Sequence, residues 1–159
     1  MTAHIKRGFT LIELLIVIAI LGVLAVVVLV AINPVQQLAR TRDAGRISTV
    51  QQLGHAVEAY YVSHEAAYPT DLAALATSGE INDVPDEIEN TLGSACSGAT
   101  QGWCYAHSDE GFAVYSKLEA DTNEDAADCG DDSAYAAYLS ASGRSCIVCS
   151  APGATTECD

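Results

Sequence analysis

The chain has 159 residues and a formal net charge of −14, and hydrophobic residues make up 50% of it. The charge is unevenly placed: from Glu58 onward there are nineteen acidic residues, whereas Lys117 and Arg144 are the only basic ones. A domain this acidic repels phosphate backbones, which argues against bulk nucleic-acid binding by this part of the chain. The length allows one small domain together with a helical anchor.

An apolar run near the N-terminus is the dominant feature of the sequence. Residues 9–32 carry one charged side chain, Glu13, and from Leu14 onward the run has none. A helix of this length, rising ~1.5 Å per residue, is enough to cross a bilayer core of ~30 Å. The run is too long for the apolar core of a secretory signal peptide, and its candidate cleavage site precedes it. We therefore expect residues 9–32 to form a transmembrane helix.

A short basic leader precedes this run. The class III signal of type IV prepilins and type II secretion pseudopilins closely resembles the stretch Lys6-Arg7-Gly8-Phe9-Thr10-Leu11-Ile12-Glu13. The resemblance implies that residues 1–8 are a leader peptide, which a prepilin peptidase removes by cutting after Gly8. It further implies that the peptidase methylates the new amine of Phe9 and that the chain has a pilin fold.

Glu13 is the only carboxylate within the apolar run. An ionisable side chain at the edge of a membrane segment is costly and is by default a candidate functional residue. Cleavage after Gly8 creates a positive amine on Phe9, and the first turn of a helix also favours a negative charge. The resemblance implies that Glu13 of one subunit pairs with the Phe9 amine of its neighbour during assembly. The alternative is a solvated carboxylate at the level of the lipid headgroups.

The helix is expected to continue beyond the apolar run. Asn33-Pro34 predicts a kink or a local opening, because proline removes one backbone hydrogen bond. Beyond it, apolar residues recur at helical spacing, which predicts one long helix from residue 9 to about residue 62, with residues 33–62 as an amphipathic continuation. The expected apolar stripe consists of Val35, Leu38, Ile47, Val50, Leu53, Val57 and Tyr60 or Tyr61, and polar residues such as Arg40 and Asp43 occupy other faces.

The rest of the chain has the pattern of short strands. We expect a short helix over 72–77, one hairpin with strands over 103–107 and 112–118, and a second with strands over 134–140 and 145–148. The predicted fold class is α+β, with a long N-terminal helix, membrane-spanning in its first half, packed on a small antiparallel sheet as in pilins. Residues 63–159 are expected to form an exported, acidic and disulfide-bonded globular domain.

Six cysteines follow the anchor, and an even number predicts disulfides formed in an oxidising compartment. Together with the leader they place this part of the chain outside the cytoplasm, although basic residues on the two sides of the anchor nearly balance. Six cysteines allow fifteen connectivities. Zinc and redox interpretations lack a second C-x-x-C pair or a thioredoxin-like context. Local spacing favours the pairs Cys96–Cys104 and Cys149–Cys158, which leaves Cys129–Cys146.

An acidic segment late in the chain is a candidate calcium site. Its D-x-N-x-D spacing is that of oxygen ligands around Ca²⁺, with a further aspartate where a twelve-residue loop places its last ligand. The segment departs from that loop pattern, since Ala126 replaces the expected glycine and no helices are predicted beside it. The alternative is a solvated acidic loop. The four candidate ligands are Asp121, Asn123, Asp125 and Asp132.

No P-loop, G-x-S-x-G or H-E-x-x-H motif is present, so the sequence does not predict an enzyme. The resemblance implies a structural subunit of a type IV pilus or pseudopilus, held in the inner membrane with its N-terminus in the cytoplasm and then polymerised into an extracytoplasmic helical homo-oligomer. Its expected partners are the prepilin peptidase, the inner-membrane assembly machinery and, before assembly, membrane lipid. The alternatives are a minor or competence pseudopilin, and a membrane-anchored exported binding domain that does not polymerise.

Overall fold

The structure is a computed structural model that describes residues 8–87, 96, 99–130 and 132–158. The chain divides into two compact units, Met1–Gln37 and Leu38–Asp159. Its α+β fold class is confirmed, since a long apolar helix precedes a four-stranded antiparallel sheet. The elements are α1 (Leu11–Ile32), α2 (Pro34–Ser63), α3 (Ala73–Ser78), β1 (Cys104–Ser108), β2 (Gly111–Lys117), α4 (Asp121–Ala126), β3 (Tyr135–Leu139) and β4 (Arg144–Val148).

The long N-terminal helix is interrupted at Asn33, which ends α1 in the left-handed conformation with φ of 45°. Asparagine adopts this conformation more readily than most residues. Pro34 cannot donate a backbone hydrogen bond to continue α1, but its fixed φ suits the first position of a new helix. The predicted long helix is therefore divided into α1 and α2, and the division lies at Asn33-Pro34, where a kink or local opening was predicted.

One stripe of α2, with residues at three- and four-residue spacing, is buried. Its middle and end are mostly apolar, as predicted, whereas Val35 and Leu38 at the predicted start are exposed. The buried face begins instead with Ala39, Asp43 and Arg46. The prediction that Asp43 lies on another face is therefore wrong, because an ion pair takes the place of apolar contacts here. The buried residues of α2 are Ala39, Asp43, Arg46, Val50, Leu53, Gly54, Ala56 and Val57.

The four strands form an antiparallel meander in the order β1-β2-β3-β4. Each strand begins and ends within one residue of its predicted bounds. A two-residue turn, Asp109-Glu110, joins β1 to β2, because Ser108 pairs with Gly111. Local hydrophobic patterning and turn residues were sufficient to locate both hairpins.

The side of the sheet that faces α2 carries the main core. Phe112, Val114 and Tyr138 belong to one cluster with the buried apolar residues of α2. Gly54 permits this approach, because a Cβ atom at this position would lie 2.2 Å from Cγ of Tyr138. The glycine that weakens α2 as an isolated helix is thus a point of close contact with the sheet.

The opposite side of the sheet is also buried. Ala113, Ala137 and Leu139 have no exposed surface, and Cys96 and Cys158 pack against this second cluster. Two disulfides therefore hold neighbouring segments of chain against a face that would otherwise be open to water.

The three disulfides join Cys96 to Cys104, Cys129 to Cys149 and Cys146 to Cys158. The first pair agrees with the pairing expected from local spacing, whereas the other two expected pairs, Cys149–Cys158 and Cys129–Cys146, are wrong. Successive side chains of a strand alternate between its two faces. Cys146 consequently lies in the cluster on the side away from α2, whereas Cys149 packs in a different cluster with Cys129.

Candidate functional site

The N-terminal segment, residues 8–13, is the first candidate site. Gly8, Phe9 and Thr10 precede α1 without helical structure, and all three are exposed. The Phe9 side chain is 78% exposed. The chain is thus exposed at the Gly8–Phe9 junction.

Glu13 takes part in a capping box at the start of α1. Its Oε2 accepts hydrogen bonds from the backbone N–H of Thr10 at 2.9 Å and from the Thr10 hydroxyl at 2.7 Å. In return, Oγ1 of Thr10 accepts from the backbone N–H of Glu13 at 3.3 Å. Sequence reasoning missed this role, although the T-x-x-E spacing is its usual signature. Within its own chain, Glu13 therefore satisfies donors that the first turn leaves open.

The surface of α1 is apolar and uncovered. No residue of this helix is buried, and the large side chains along its whole length are exposed. Within the described part of the chain, α1 is the one helix long and apolar enough to cross a membrane. Such a helix requires an apolar surrounding, either lipid or other helices.

A second candidate is an ionic network inside the domain, formed by Arg42, Asp43, Arg46 and Glu119. The Arg46 side chain is fully buried and donates to Asp43 Oδ1 at 2.8 Å and to Glu119 Oε1 at 2.5 Å. Arg42 donates from Nε to Glu119 Oε2 at 3.0 Å. Buried charges are retained only when they are paired and hydrogen-bonded, and this network meets both conditions.

Asp43 also anchors the chain that follows β2. Its carboxylate accepts the backbone N–H groups of Glu119 and Ala120 at 3.0 and 2.9 Å. It accepts the side-chain amide of Asn123 at 2.6 Å as well. One aspartate of α2 thereby fixes the start of α4, which has no side-chain cap of its own.

Two glutamates of this region have pKa values that are shifted in opposite directions. Burial raises the pKa of Glu119, but hydrogen bonds from Arg42 and Arg46 outweigh it and hold that pKa below its usual value of 4.5. The pKa of Glu87 is raised, because burial outweighs its hydrogen bond from Ser116 and the nearby Arg46. Arg46 Nε lies 3.7 Å from Glu87 Oε1. The closer pairing of Glu119 with two guanidinium groups accounts for the difference.

Sequence reasoning missed this network. An available signal was the pair Asp43 and Arg46, three residues apart in register with the apolar stripe of α2. Its partner Glu119 lies more than seventy residues further along the chain, beyond the reach of local patterns. The arrangement provides ion pairs and a helix cap, which suits it to fixing α2 on the rest of the domain.

The predicted calcium ligands are not brought together. The segment Asp121–Ala126 forms α4 instead of the expected loop, so that the prediction of its local structure is wrong. Acidic residues in the first turn and the Asp43 cap both favour the helix. No group of three or more His, Cys, Asp or Glu residues within the described ranges is placed to hold a metal ion. Calcium binding stays a prediction for the four residues Asp121, Asn123, Asp125 and Asp132.

Residues 4–29 match the sequence family described as the prokaryotic N-terminal methylation motif. The chain is 37% identical over 82 residues to the fimbrial protein EcpC of Eikenella corrodens, covering 52% of each chain. It is 42% identical over 78 residues to a fimbrial protein of Neisseria meningitidis serogroup B, covering 48% of this chain and 45% of that relative. The chain thus spans about half the length of these two relatives.

A third relative is covered more fully. The chain is 36% identical over 91 residues to the competence protein ComGC of Halalkalibacterium halodurans, which corresponds to 56% of this chain and 86% of that relative. No solved structure matches the chain. The methylation motif, the apolar helix with its capped N-terminus and these relatives agree with one another, and the chain belongs to the type IV pilin superfamily.

Proposed function

We propose that the protein is a structural subunit of a type IV pilus or pseudopilus, cut after Gly8, methylated at Phe9 and polymerised through its N-terminal helix. Before assembly the chain is a single-pass protein of the inner membrane, with residues 9–32 in the bilayer and residues 63–159 outside the cytoplasm. The observation that carries this proposal is α1, an apolar helix with no buried residue, directly after an exposed Gly8–Phe9 bond.

Assembly uses the same surface that the membrane covers beforehand. Withdrawing α1 from lipid exposes an apolar helix, and packing identical helices side by side covers it again. In this arrangement Glu13 exchanges its bonds to Thr10 for the Phe9 amine of a neighbour. The prepilin peptidase and the inner-membrane assembly machinery are the partners for these steps, and the acidic domains face outward.

The proposal is tested by mass spectrometry of the N-terminus of the native protein. We expect a chain that begins with N-methylated Phe9, because the leader, the glycine and the exposed bond meet the requirements of a prepilin peptidase. A Gly8→Leu variant is the control and should keep residues 1–8. An intact Met1 in the native protein, or a start near Pro34, would contradict the filament proposal and favour a membrane-anchored domain that does not polymerise.

A minor or competence pseudopilin is the second candidate, favoured by the similarity to a competence protein over 86% of that relative's length. The two candidates differ in abundance within the filament. In sheared filaments, a major subunit forms most of the mass, whereas a minor subunit is present at a small fraction of another pilin. Quantitative mass spectrometry of the sheared fraction distinguishes them.

A further inference from the structure

Arg40 is an exposed cation on α2 in a strongly acidic domain. The other basic side chains that the structure describes in unit Leu38–Asp159 all have partners within the chain. Arg40 has neither a hydrogen bond nor an ion pair with any described residue. Its neighbour Ala39 is buried, whereas Arg40 lies outside the buried stripe of α2.

A cleft near the other end of α2 combines one carboxylate with aromatic rings. It is lined by Glu58, Tyr61, Val62, Tyr68, Phe112 and Ser140. The rings of Tyr61 and Tyr68 are stacked with their centroids 4.5 Å apart. The Glu58 side chain is 43% exposed, and its Oε1 accepts the hydroxyl of Tyr138 at 2.7 Å. We name this feature the tyrosine cleft.

The charges around the tyrosine cleft favour a guanidinium group. A guanidinium can bind a carboxylate and lie against an aromatic face at the same time. Burial raises the pKa of Tyr68, and nearby Tyr61 and Glu58 add smaller contributions in the same direction. His55 Nδ1 lies 3.3 Å from Glu58 Oε2 and is the one histidine beside this carboxylate among the described residues. Glu58 Oε2 is thus already paired with His55, but the carboxylate is partly exposed, so that a further cation can reach it from outside.

We propose that Arg40 of one subunit binds in the tyrosine cleft of a second copy of this chain, against Glu58 and Tyr61. The inference rests on the proposed filament function. A contact between two different patches of the same chain is heterologous, and such contacts extend into open helical assemblies when they do not close into rings. Because Arg40 and Glu58 are eighteen residues apart on α2, the contact shifts neighbouring copies with parallel α2 helices by about 27 Å along this helix.

Charge exchange in the full-length protein tests the contact, with filament yield measured by shearing and compared with membrane content. Arg40→Glu and Glu58→Arg should each lower the yield about tenfold or more, because like charges then face each other. Combining the two substitutions should restore it to near the wild-type level. Arg40→Glu combined with Glu157→Arg, an exposed acid outside the cleft, has the same net charge and should not recover.

Crosslinking provides a second test that does not depend on reversing a charge. Arg40→Lys keeps the cation and supplies an amine, which a carbodiimide joins to a carboxylate only when the two are in contact. We expect covalent multimers longer than dimers and a linked peptide joining position 40 to Glu58. Glu58→Gln retains the acceptor for Tyr138 and should remove that peptide. Wild-type filaments, which lack the amine at position 40, measure the background from other lysines.

The outcomes separate this inference from the filament proposal. Wild-type filament yield from Arg40→Glu, or failure of the exchanged pair to recover, would overturn the contact while leaving the filament intact. A position-40 crosslink to an acid other than Glu58 would also overturn it. If the wild-type protein itself formed no filaments under any condition of expression, the proposed function would fail first.

Discussion

Glu13 acts as a helix cap within its own chain, and the proposed assembly gives it a second partner. The capping box needs an acceptor at this position but not a charge, since glutamine also serves at the third residue of such a box. The amine of a neighbouring Phe9 needs the negative charge. The two roles can therefore be separated by a substitution that removes only the charge.

We predict that Glu13→Gln assembles as poorly as Glu13→Ala, while both variants are still cleaved after Gly8 and remain in the membrane. In the proposed filament this ion pair lies among apolar helices, where an uncompensated charge is costly, so that we expect more than a tenfold loss of sheared filaments. Thr10→Ala is the matched control, because it removes the cap but leaves the charge. If Glu13→Gln assembled normally, capping alone would explain the residue.

At this scale the sequence predicted Gly8, Phe9 and Glu13 as candidate residues because they form one local motif. The ionic network could not be found in the same way. Asp43 and Arg46 resemble solvent-facing residues of an amphipathic helix until Glu119 is known to lie opposite them. The burial of a charge depends on a partner from a distant part of the chain, which periodicity does not encode.

The helices and strands were predicted more completely than the side-chain contacts that hold them in place. Within each hairpin a short turn, Asp109-Glu110 or residues 140–143, joins the two strands, so that the strand limits there are encoded within a few positions. The left-handed Asn33 and the helix α4 were missed for a common reason. In both places a short segment has two locally acceptable structures, and the choice depends on its surroundings, as with the Asp43 cap of α4.

The ionic network joins α2 to the segment between β2 and α4, so that its loss should affect the docking of these elements. We predict that Glu119→Gln lowers the free energy of unfolding by about 3–5 kcal/mol, because buried Arg46 then loses a charged partner. Fluorescence of Trp103, the single tryptophan and 1% exposed, reports the transition in detergent-solubilised full-length protein. The control Glu110→Gln, in the exposed β1–β2 turn, should change the free energy of unfolding by less than about 0.5 kcal/mol.

The stability of Glu119→Gln should also depend on acidic pH differently from that of the wild-type protein. The pKa of Glu119 lies lower in the folded than in the unfolded chain, so that its stabilising contribution is present above pH 4.5 and is lost as the pH falls through the folded pKa. Glu87 has a raised pKa and contributes in the opposite sense, with stability present below pH 4.5 and lost as the pH rises through its folded pKa. Glu119→Gln should therefore flatten the acid side of the stability curve, and an unchanged slope would contradict the assigned pairing.

At the scale of the whole molecule, the uncovered apolar surface and the folded acidic core belong to different units of the chain. Unit Met1–Gln37 contains the uncovered apolar helix, whereas unit Leu38–Asp159 contains the sheet, the three disulfides and almost all of the acidic residues. No residue of the apolar helix is buried in the described part of the chain, so that this helix requires an apolar surrounding from outside. The acidic unit, in contrast, has its own core on both sides of the sheet.

The disulfides stabilise this second unit, and their pairing gives the last prediction. We expect no thiol of the unreduced protein to react with a labelling reagent, and each bridge to contribute roughly 2–4 kcal/mol by restricting the unfolded chain. Electron-transfer fragmentation of a non-reducing digest should show Cys146 linked to Cys158 and Cys129 linked to Cys149, since strand alternation separates Cys146 from Cys149. A Cys149–Cys158 link would place both residues on one side of the sheet and contradict the arrangement in which the C-terminal segment covers its outer face.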